Sequence, residues 1–340
     1  MIKFFRQIRY NLMAQSKTSK YFKYAVGEIV LVVIGILIAL SINNWNEDRK
    51  AAEKSKTLLQ QIHKELAFNI GKANNVIEQY RSKDKLVFDV VNRNVNYEYY
   101  TNKSMSAFII LSQEAVEIAD DAFKNLMDKQ DDFTKEQDSI ISKLKEIYGT
   151  NKKRVDLTDD ITTNLVLEYF KNYKNEKKWY YNMIMNNQLN DEAINYLLTD
   201  STYLNLVANF QIINLNNYKR YTNIFRRNAL DTYEELSNYL KIVKDTTIIK
   251  NSKAYDHYLG TYTNGIRTHE IIRANNKLLS ISYSNSNPEN QFVFNFYPDS
   301  KHTFMMRTHL FGELSYNSKN EVIGFIVSNG SQRREFKKIK

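Results

Sequence analysis

The run from Tyr24 to Ile42, YAVGEIVLVVIGILIALSI, constrains this chain more than any other feature. It is 19 residues long and carries one charge, Glu28, near its start. About 20 apolar residues rising 1.5 Å each cross a hydrocarbon core of about 30 Å, so a single helix of this length spans a bilayer. Its flanks differ in charge. Residues 1–23 hold Lys3, Arg6, Arg9, Lys17, Lys20 and Lys23 and no acid, whereas Asn43 to Lys50 set Glu47 and Asp48 against Arg49 and Lys50. The positive-inside rule keeps the basic end in the cytoplasm and sends about 300 residues across the membrane. The expectation is a single-pass inner-membrane protein with periplasmic C-terminal domains. Trp45 falls where an interfacial aromatic anchor belongs.

The same asymmetry accounts for the basic balance of the chain. Of its net +10, six charges lie in the first 23 residues, which leaves +4 for the other 317. A nucleic-acid reader needs its bases clustered on a folded face or in a known module, so nucleic acid is not an expected partner. Beside a membrane span, anionic headgroups attract Lys and Arg at about 1 kcal/mol each. Ile2, Phe5, Ile8 and Leu12 recur at helical spacing, which reads as an amphipathic arm lying in the bilayer surface. A cleaved signal peptide is the alternative, with Ala39-Leu40-Ser41 as the cleavage site and Ile29 to Ile38 as the apolar region. Against it, 28 residues precede that region and Glu28 abuts it. A retained anchor is expected.

GEIVLVVIGILIALSINNWNEDRK, preceded by a basic segment ending SKYFKYAV, resembles the N-terminus of a large uncharacterised family of membrane-anchored proteins from Bacteroidota. The likeness is close over residues 1–50 and diffuse to about residue 245. It implies anchoring and topology. No activity is established for that family, so it supplies no catalytic residue.

Glycine and proline divide the remainder. Pro288 and Pro298 are the only prolines, and Gly260, Gly265, Gly312, Gly324 and Gly330 fall in the same C-terminal stretch, whereas Gly149 alone lies between Gly71 and Gly260. Long stretches without breakers read as helices. Leu59, Ile62, Leu66, Ala73, Val76 and Tyr80 form one apolar stripe through Lys50–Asn92. Ser106–Met127, Lys135–Tyr148, Asp159–Met185 and Ser201–Leu240 read as further helices, with Thr158 and Ser201 as caps. From Tyr255 the apolar period falls to 2. Leu279, Ile281 and Tyr283, then Phe292, Phe294 and Phe296, alternate with their neighbours, and about eight short strands follow, separated by Asn264-Gly265, Asn275-Asn276, Asn287-Pro288 and Asn329-Gly330. Such spacing argues for a small barrel or sandwich.

The expected fold is therefore α+β: one N-terminal transmembrane helix, an exported all-α domain and a C-terminal small antiparallel β-barrel or sandwich. The segments are a basic arm (1–23), the span (24–43), the helical domain (44–245), a linker (246–253) and the β-domain (254–340). Tyr258-Leu259-Gly260-Thr261-Tyr262, Asn276-Lys277-Leu278, Phe296-Tyr297-Pro298 with Phe304, Gly324-Phe325-Ile326-Val327 and Lys338-Ile339 resemble the lipocalin-like β-domain that follows beta-lactamase-type serine hydrolases. In those proteins the β-domain is an accessory, and no catalytic domain accompanies it here. The resemblance thus implies binding or packing rather than hydrolysis.

No cysteine is present, which excludes disulfides, thiolate metal sites and cysteine nucleophiles. His63 stands alone, and His257, His269, His302 and His309 fall in the β-domain at spacings that match no zinc motif, so they read as scattered surface residues. Neighbouring residues on a helix point about 100° apart. The pairs Asp120-Asp121, Asp131-Asp132 and Asp159-Asp160 therefore read as helix starts and solvated faces rather than acid–base sites. GxSxG, P-loop, HExxH and dinucleotide fingerprints are absent. No catalytic, cofactor or metal residue is assigned and no cofactor is expected. Trp179, Tyr180 and Tyr181 form a candidate recognition surface, with plain helix packing as the competing reading.

Within the span, Gly27, Gly35 and Ala39 share one helix face and permit close helix approach. Glu28 either snorkels and pairs with Lys23 or meets a cation on a partner's span. The expected partners are the lipid bilayer, a second copy joined through the span and membrane-proximal helix, and an envelope protein of unknown identity. The expected role is non-enzymatic sensing, binding or scaffolding in the envelope. A periplasmic enzyme or accessory subunit, with a pocket shaped by the β-domain, is the alternative.

Overall fold

One helix, α1 (Thr18–Val91), carries the chain out of the apolar run and on through 74 residues. The computed structural model describes residues 6–7, 10, 18–128, 133, 137–248, 252–274, 277–298, 300–306, 310–328 and 332–340. Ile2, Phe5, Ile8 and Leu12 of the expected arm lie outside the described residues, as do Asp131-Asp132, Asn275-Asn276, His309 and Asn329-Gly330. No proline interrupts α1, and a glycine inside a helix costs about 1 kcal/mol relative to alanine. Gly27, Gly35 and Gly71 are accordingly tolerated.

The surroundings of α1 change along its length. From Val26 to Ile42 the large apolar side chains are 45–63 % exposed, and none of the most apolar window is buried. By length and composition this part can cross a membrane. Beyond it the expected stripe is buried: Leu59, Ile62, Leu66, Ala73, Val76 and Tyr80 are all 5 % exposed or less. The chain divides into two compact units, residues 1–59 with 125–137, and residues 60–124 with 138–340. In the first, the Gln137 amide donates to the buried Ser55 hydroxyl of α1 at 2.7 Å.

The second unit holds most of the other helices: α2 (Tyr97–Asn102), α4 (Asp138–Lys145), α5 (Lys152–Glu176), α6 (Tyr180–Asn186), α7 (Asp191–Thr199), α8 (Ser201–Phe210) and α9 (Lys219–Leu240). Wide π-type turns at Glu146–Asn151 and Gln211–Tyr218 join α4 to α5 and α8 to α9. The expected helix Ser201–Leu240 is thus one continuous helical run. Its cap is Asp200, which accepts from the Thr202 amide at 2.7 Å, and Ser201 is the first helical residue. Thr158 is no cap either, because α5 begins six residues earlier and the Thr158 hydroxyl bonds back to the Arg154 carbonyl at 2.8 Å.

The expected helix Ser106–Met127 does not form. A 3₁₀ segment (Ser104–Leu111) leads into an extended strap, and helix resumes only at α3 (Asp121–Met127). Side chains from distant helices satisfy the strap's backbone. Tyr218 Oη accepts from the Val116 amide at 2.8 Å, and Asn69 both accepts from the Ala119 amide at 3.0 Å and donates to its carbonyl at 2.8 Å. Glu65 of α1 accepts from the Ala122 and Phe123 amides at 2.7 and 3.3 Å, a cap for α3 supplied from another helix.

Eight antiparallel strands follow in sequence order and close into a barrel: β1 (Gly260–Thr263), β2 (Arg267–Ala274), β3 (Lys277–Ser284), β4 (Asn287–Pro298), β5 (Thr303–Met306), β6 (Leu310–Tyr316), β7 (Val322–Ser328) and β8 (Arg333–Lys338). Closure comes from β1 on β8, with Tyr262 opposite Lys338 and Thr263 opposite Lys337. Closure removes the exposed edges that an open sheet of this size would carry. Gly312 is required inside, because a β-carbon there would overlap the Phe304 ring. On the outer wall, Met305 and Phe311 form a buried cluster with Ile77 of α1, and Tyr297 packs against it. Lys219 Nζ sits 3.9 Å from the Phe311 ring centroid, and the Arg227 guanidinium lies 3.5 Å from that of Tyr297.

Candidate functional site

Alternation along the strands aims every second side chain into the barrel, and an eight-stranded barrel is just wide enough for side chains to fill. One half is filled. Tyr258, Tyr262, Phe296, Phe304, Phe325 and Phe336 are 3 % exposed or less and pack ring against ring, as in the 4.6 Å stack of Phe296 on Phe304. The other half is not. Arg267 opens β2, Met306 closes β5 and Leu310 opens β6, and between these ends lies a cup of about 440 Å³. That volume falls in the range of small-molecule sites, about 300–1,000 Å³.

Phe292, Phe294, Met306, Leu310, Val327 and Phe336 make the apolar part of the cup wall, and Arg267, His269, Ser282, Gln332 and Arg334 make the polar part. His269 is 6 % exposed, with Nδ1 3.1 Å from Ser280 Oγ and its ring edge-on to Phe336 at 4.9 Å. The Arg267 guanidinium donates to Ser282 Oγ at 3.1 Å, and that of Arg334 to Gln332 Oε1 at 3.1 Å. Among the described residues, no acid lines the cup. It can therefore hold an apolar body and present guanidinium donors to its polar end.

None of these cup residues was singled out as a site by sequence reasoning. The signal was present in the alternation. Arg267 and His269 share the parity of Ile271, Ser282 that of Leu278, and Arg334 that of Phe336, so polar groups occupy positions that belong to the apolar face. Reading His269 as a surface residue is corrected by its burial. Its position on the inner face, not its spacing from other histidines, sets its surroundings.

The sequence-derived candidates are placed as follows. Trp179 is 2 % exposed and packs edge-on against Tyr173 at 5.6 Å, with Tyr196 at the same distance. Tyr180 is half-buried and Tyr181 is 65 % exposed. Gly27 and Gly35 have no heavy atom within 4 Å of a β-carbon position, Ala39 is exposed and Glu28 is half-buried. Trp45 is exposed, with the Arg49 guanidinium 5.6 Å from its ring. His257 and His302 border a separate cavity of about 600 Å³ at the filled end of the barrel, where His302 Nδ1 lies 2.9 Å from Tyr316 Oη. Among the described residues, no three His, Asp or Glu side chains are arranged to hold a metal ion.

A second polar group lies inside the helices. Gln113 donates to Asp159 Oδ1 at 3.0 Å and to Thr163 at 2.7 Å, and burial raises the Asp159 carboxyl above its usual range. Burial likewise raises Glu65, lowers His63, and pushes Lys83 down to about 8. These groups are engaged within the fold. Glu65 caps α3, Lys83 donates to the Ser112 carbonyl at 3.2 Å, and His63 Nε2 meets the Ser237 hydroxyl at 2.8 Å. Asp120 directly precedes α3 and pairs with Lys124 at 2.7 Å, and Asp121 is its first residue, as expected of a helix start. Asp159, inside α5 and half-buried, departs from the solvated face expected of it.

Residues 28–93 match the model of a family of unknown function, DUF6090. The matched segment runs from Glu28 through the buried stripe of α1 to just past its end at Val91. No curated protein and no solved structure matches the chain.

Proposed function

We propose that this is a membrane-anchored envelope protein whose barrel binds a small molecule, with the helices carrying that barrel from the span. The observation behind this reading is the half-filled barrel, in which a cup of about 440 Å³ sits above a fully packed aromatic floor. The match to a family of unknown function brings no activity to it. An eight-stranded up-and-down barrel supports the lipocalin-like character of residues 254–339, and the Bacteroidota origin rests on the anchor motif. Binding is favoured over catalysis because, among the described residues, the cup offers guanidinium, imidazole and hydroxyl groups and no carboxylate. Saturation-transfer NMR on the full chain in lipid nanodiscs, using a mixture of small neutral and anionic aromatics, tests it. The parent should give protein-dependent transfer, and Ser282→Leu, which extends a branched side chain into the cup, should lose it. Transfer that persists in a folded Ser282→Leu variant places binding elsewhere and sinks the reading.

The anchor and its direction belong to the same proposal. The exposed apolar face of Val26–Ile42 needs a lipid environment, since patches of that size are not left to water in monomeric proteins. Helix α1 also runs unbroken through Ala39-Leu40-Ser41, whereas a protease needs an extended segment. A periplasm-active reporter fused after Lys340 should be active and one before Met1 silent. Edman sequencing of the mature protein should read from the start of the chain. A mature chain beginning at Ile42 would mean the segment is a leader.

A further inference from the structure

Resting on the reading of the cup as the binding site, we propose that its ligand is an aromatic carboxylate. The ring system would lie among Phe292, Phe294 and Phe336, and the carboxylate would be held between Arg267 and Arg334.

Two other arginines of this barrel are matched by acids: Arg273 pairs with Asp256, and Arg333 with Glu313. The two arginines of the cup differ. Arg267 donates to the Ser282 hydroxyl and Arg334 to the Gln332 amide oxygen, both neutral acceptors. Among the described residues, no carboxylate lines the cup beside them. Each guanidinium carries five N–H donors in a planar fork that fits a carboxylate through two parallel bonds. Two such forks meet at one rim, Arg267 half-buried and Arg334 exposed, with donors to spare and positive charge beside an apolar wall. An anion answers both.

The apolar half sets the rest of the ligand. Phe336 stacks on Phe325 at 4.9 Å and receives the His269 ring edge-on at the same distance, so the deep wall already presents ordered aromatic faces and edges. Phe292, 49 % exposed, adds a large aromatic at the rim. Aromatic pairs gain stability beyond the area they bury, which favours a ring over a flexible chain of equal volume. The packed floor of Tyr262, Phe304 and Phe325 stops a long tail from passing down the barrel axis. A compact aromatic acid fits the remaining space.

Isothermal titration of the full chain in nanodiscs, referenced to empty nanodiscs, decides it with naphthalene-2-carboxylate and its neutral counterpart naphthalene-2-methanol. The acid should bind at least tenfold more tightly than the alcohol. Arg267→Gln and Arg334→Gln should each remove most of that preference. Equal binding of acid and alcohol by the parent overturns the anion assignment and leaves the cup a neutral binding site. If neither probe binds, the assignment falls and so does the cup as a site for small aromatics. The acid–alcohol comparison uses the parent protein, so a variant that fails to fold leaves the decision intact.

Discussion

Raising the pH above about 10 is expected to unfold this protein cooperatively, with a midpoint at about pH 11. The cause is its buried tyrosines. Burial pushes the phenols of Tyr80 and Tyr100 up to about 12, and it raises those of Tyr148, Tyr173, Tyr203, Tyr218 and Tyr262 as well. A folded-state pKa above the unfolded value of 10.0 means that the native state keeps protons the unfolded chain releases. The stabilisation is therefore complete below about pH 10 and is lost as pH climbs toward the folded values. At pH 11 each such phenol costs the native state about 1.4 kcal/mol relative to neutral pH, and the group together costs about 10 kcal/mol. That is comparable with the whole stability of a typical domain, about 5–15 kcal/mol. Lys83 acts with the opposite sign. Burial lowers its pKa from 10.5 to about 8, so between those values the unfolded chain holds a proton that the native state lacks, and stability rises with pH. A shallow gain from about pH 8 should precede the steep loss. Tyrosinate absorbance and helical circular dichroism, followed together on the full chain in nanodiscs, should change in one step. Smooth tyrosinate formation centred near pH 10, with the helices intact, would mean that these phenols meet water in the native state.

The same tyrosines show what could and could not be read from the sequence. Periodicity placed Tyr80 on the buried face of α1 because that stripe is local, repeating every three or four residues. It also located the change from helix to strand near Tyr255, where the apolar period becomes 2. Whether the strands formed a barrel or a sandwich was not legible, because closure depends on β1 meeting β8, elements at opposite ends of the domain. The strap after Leu111 was invisible for a related reason. Ile109 and Ile110 of the preceding 3₁₀ segment and Val116 of the strap fit one helix, but the strap's backbone partners Asn69, Tyr80 and Tyr218 lie 34 to 102 residues away. Trp179 illustrates a different limit. A cluster of aromatics is equally consistent with a surface and a core, and only the fold shows this one enclosed by Tyr173 and Tyr196. The cup was the hardest feature to foresee. It needs the inward parity of Arg267, His269, Ser282 and Arg334 on three strands, and parity becomes fixed only once register is known.

Replacing Lys219 with methionine should lower stability by about 3–5 kcal/mol, because it strands a charge that water cannot reach. Lys219 is 2 % exposed and Asp84 is 7 % exposed, and Nζ lies 2.7 and 2.5 Å from the two carboxylate oxygens. Burial lowers the lysine's pKa, while the Asp84 carboxylate opposes that shift. The Phe311 ring of β6 covers Nζ at 3.9 Å, so the pair sits where α1, α9 and the barrel meet. Two charges withdrawn from water together roughly balance their desolvation against their attraction, but removing one leaves the other uncompensated. Asp84→Leu combined with Lys219→Met should for that reason recover to within about 1 kcal/mol of the parent or exceed it. Placement adds a further consequence. Ile77, Met305 and Phe311 form one buried cluster beside the pair, so loosening it should release helix and barrel together. Hydrogen exchange in Lys219→Met should rise in α9 and in β5–β6 in parallel. Parent-like stability in the single variant would show that the carboxylate is hydrated. Faster exchange confined to α9 would show that the barrel holds its fold without this contact.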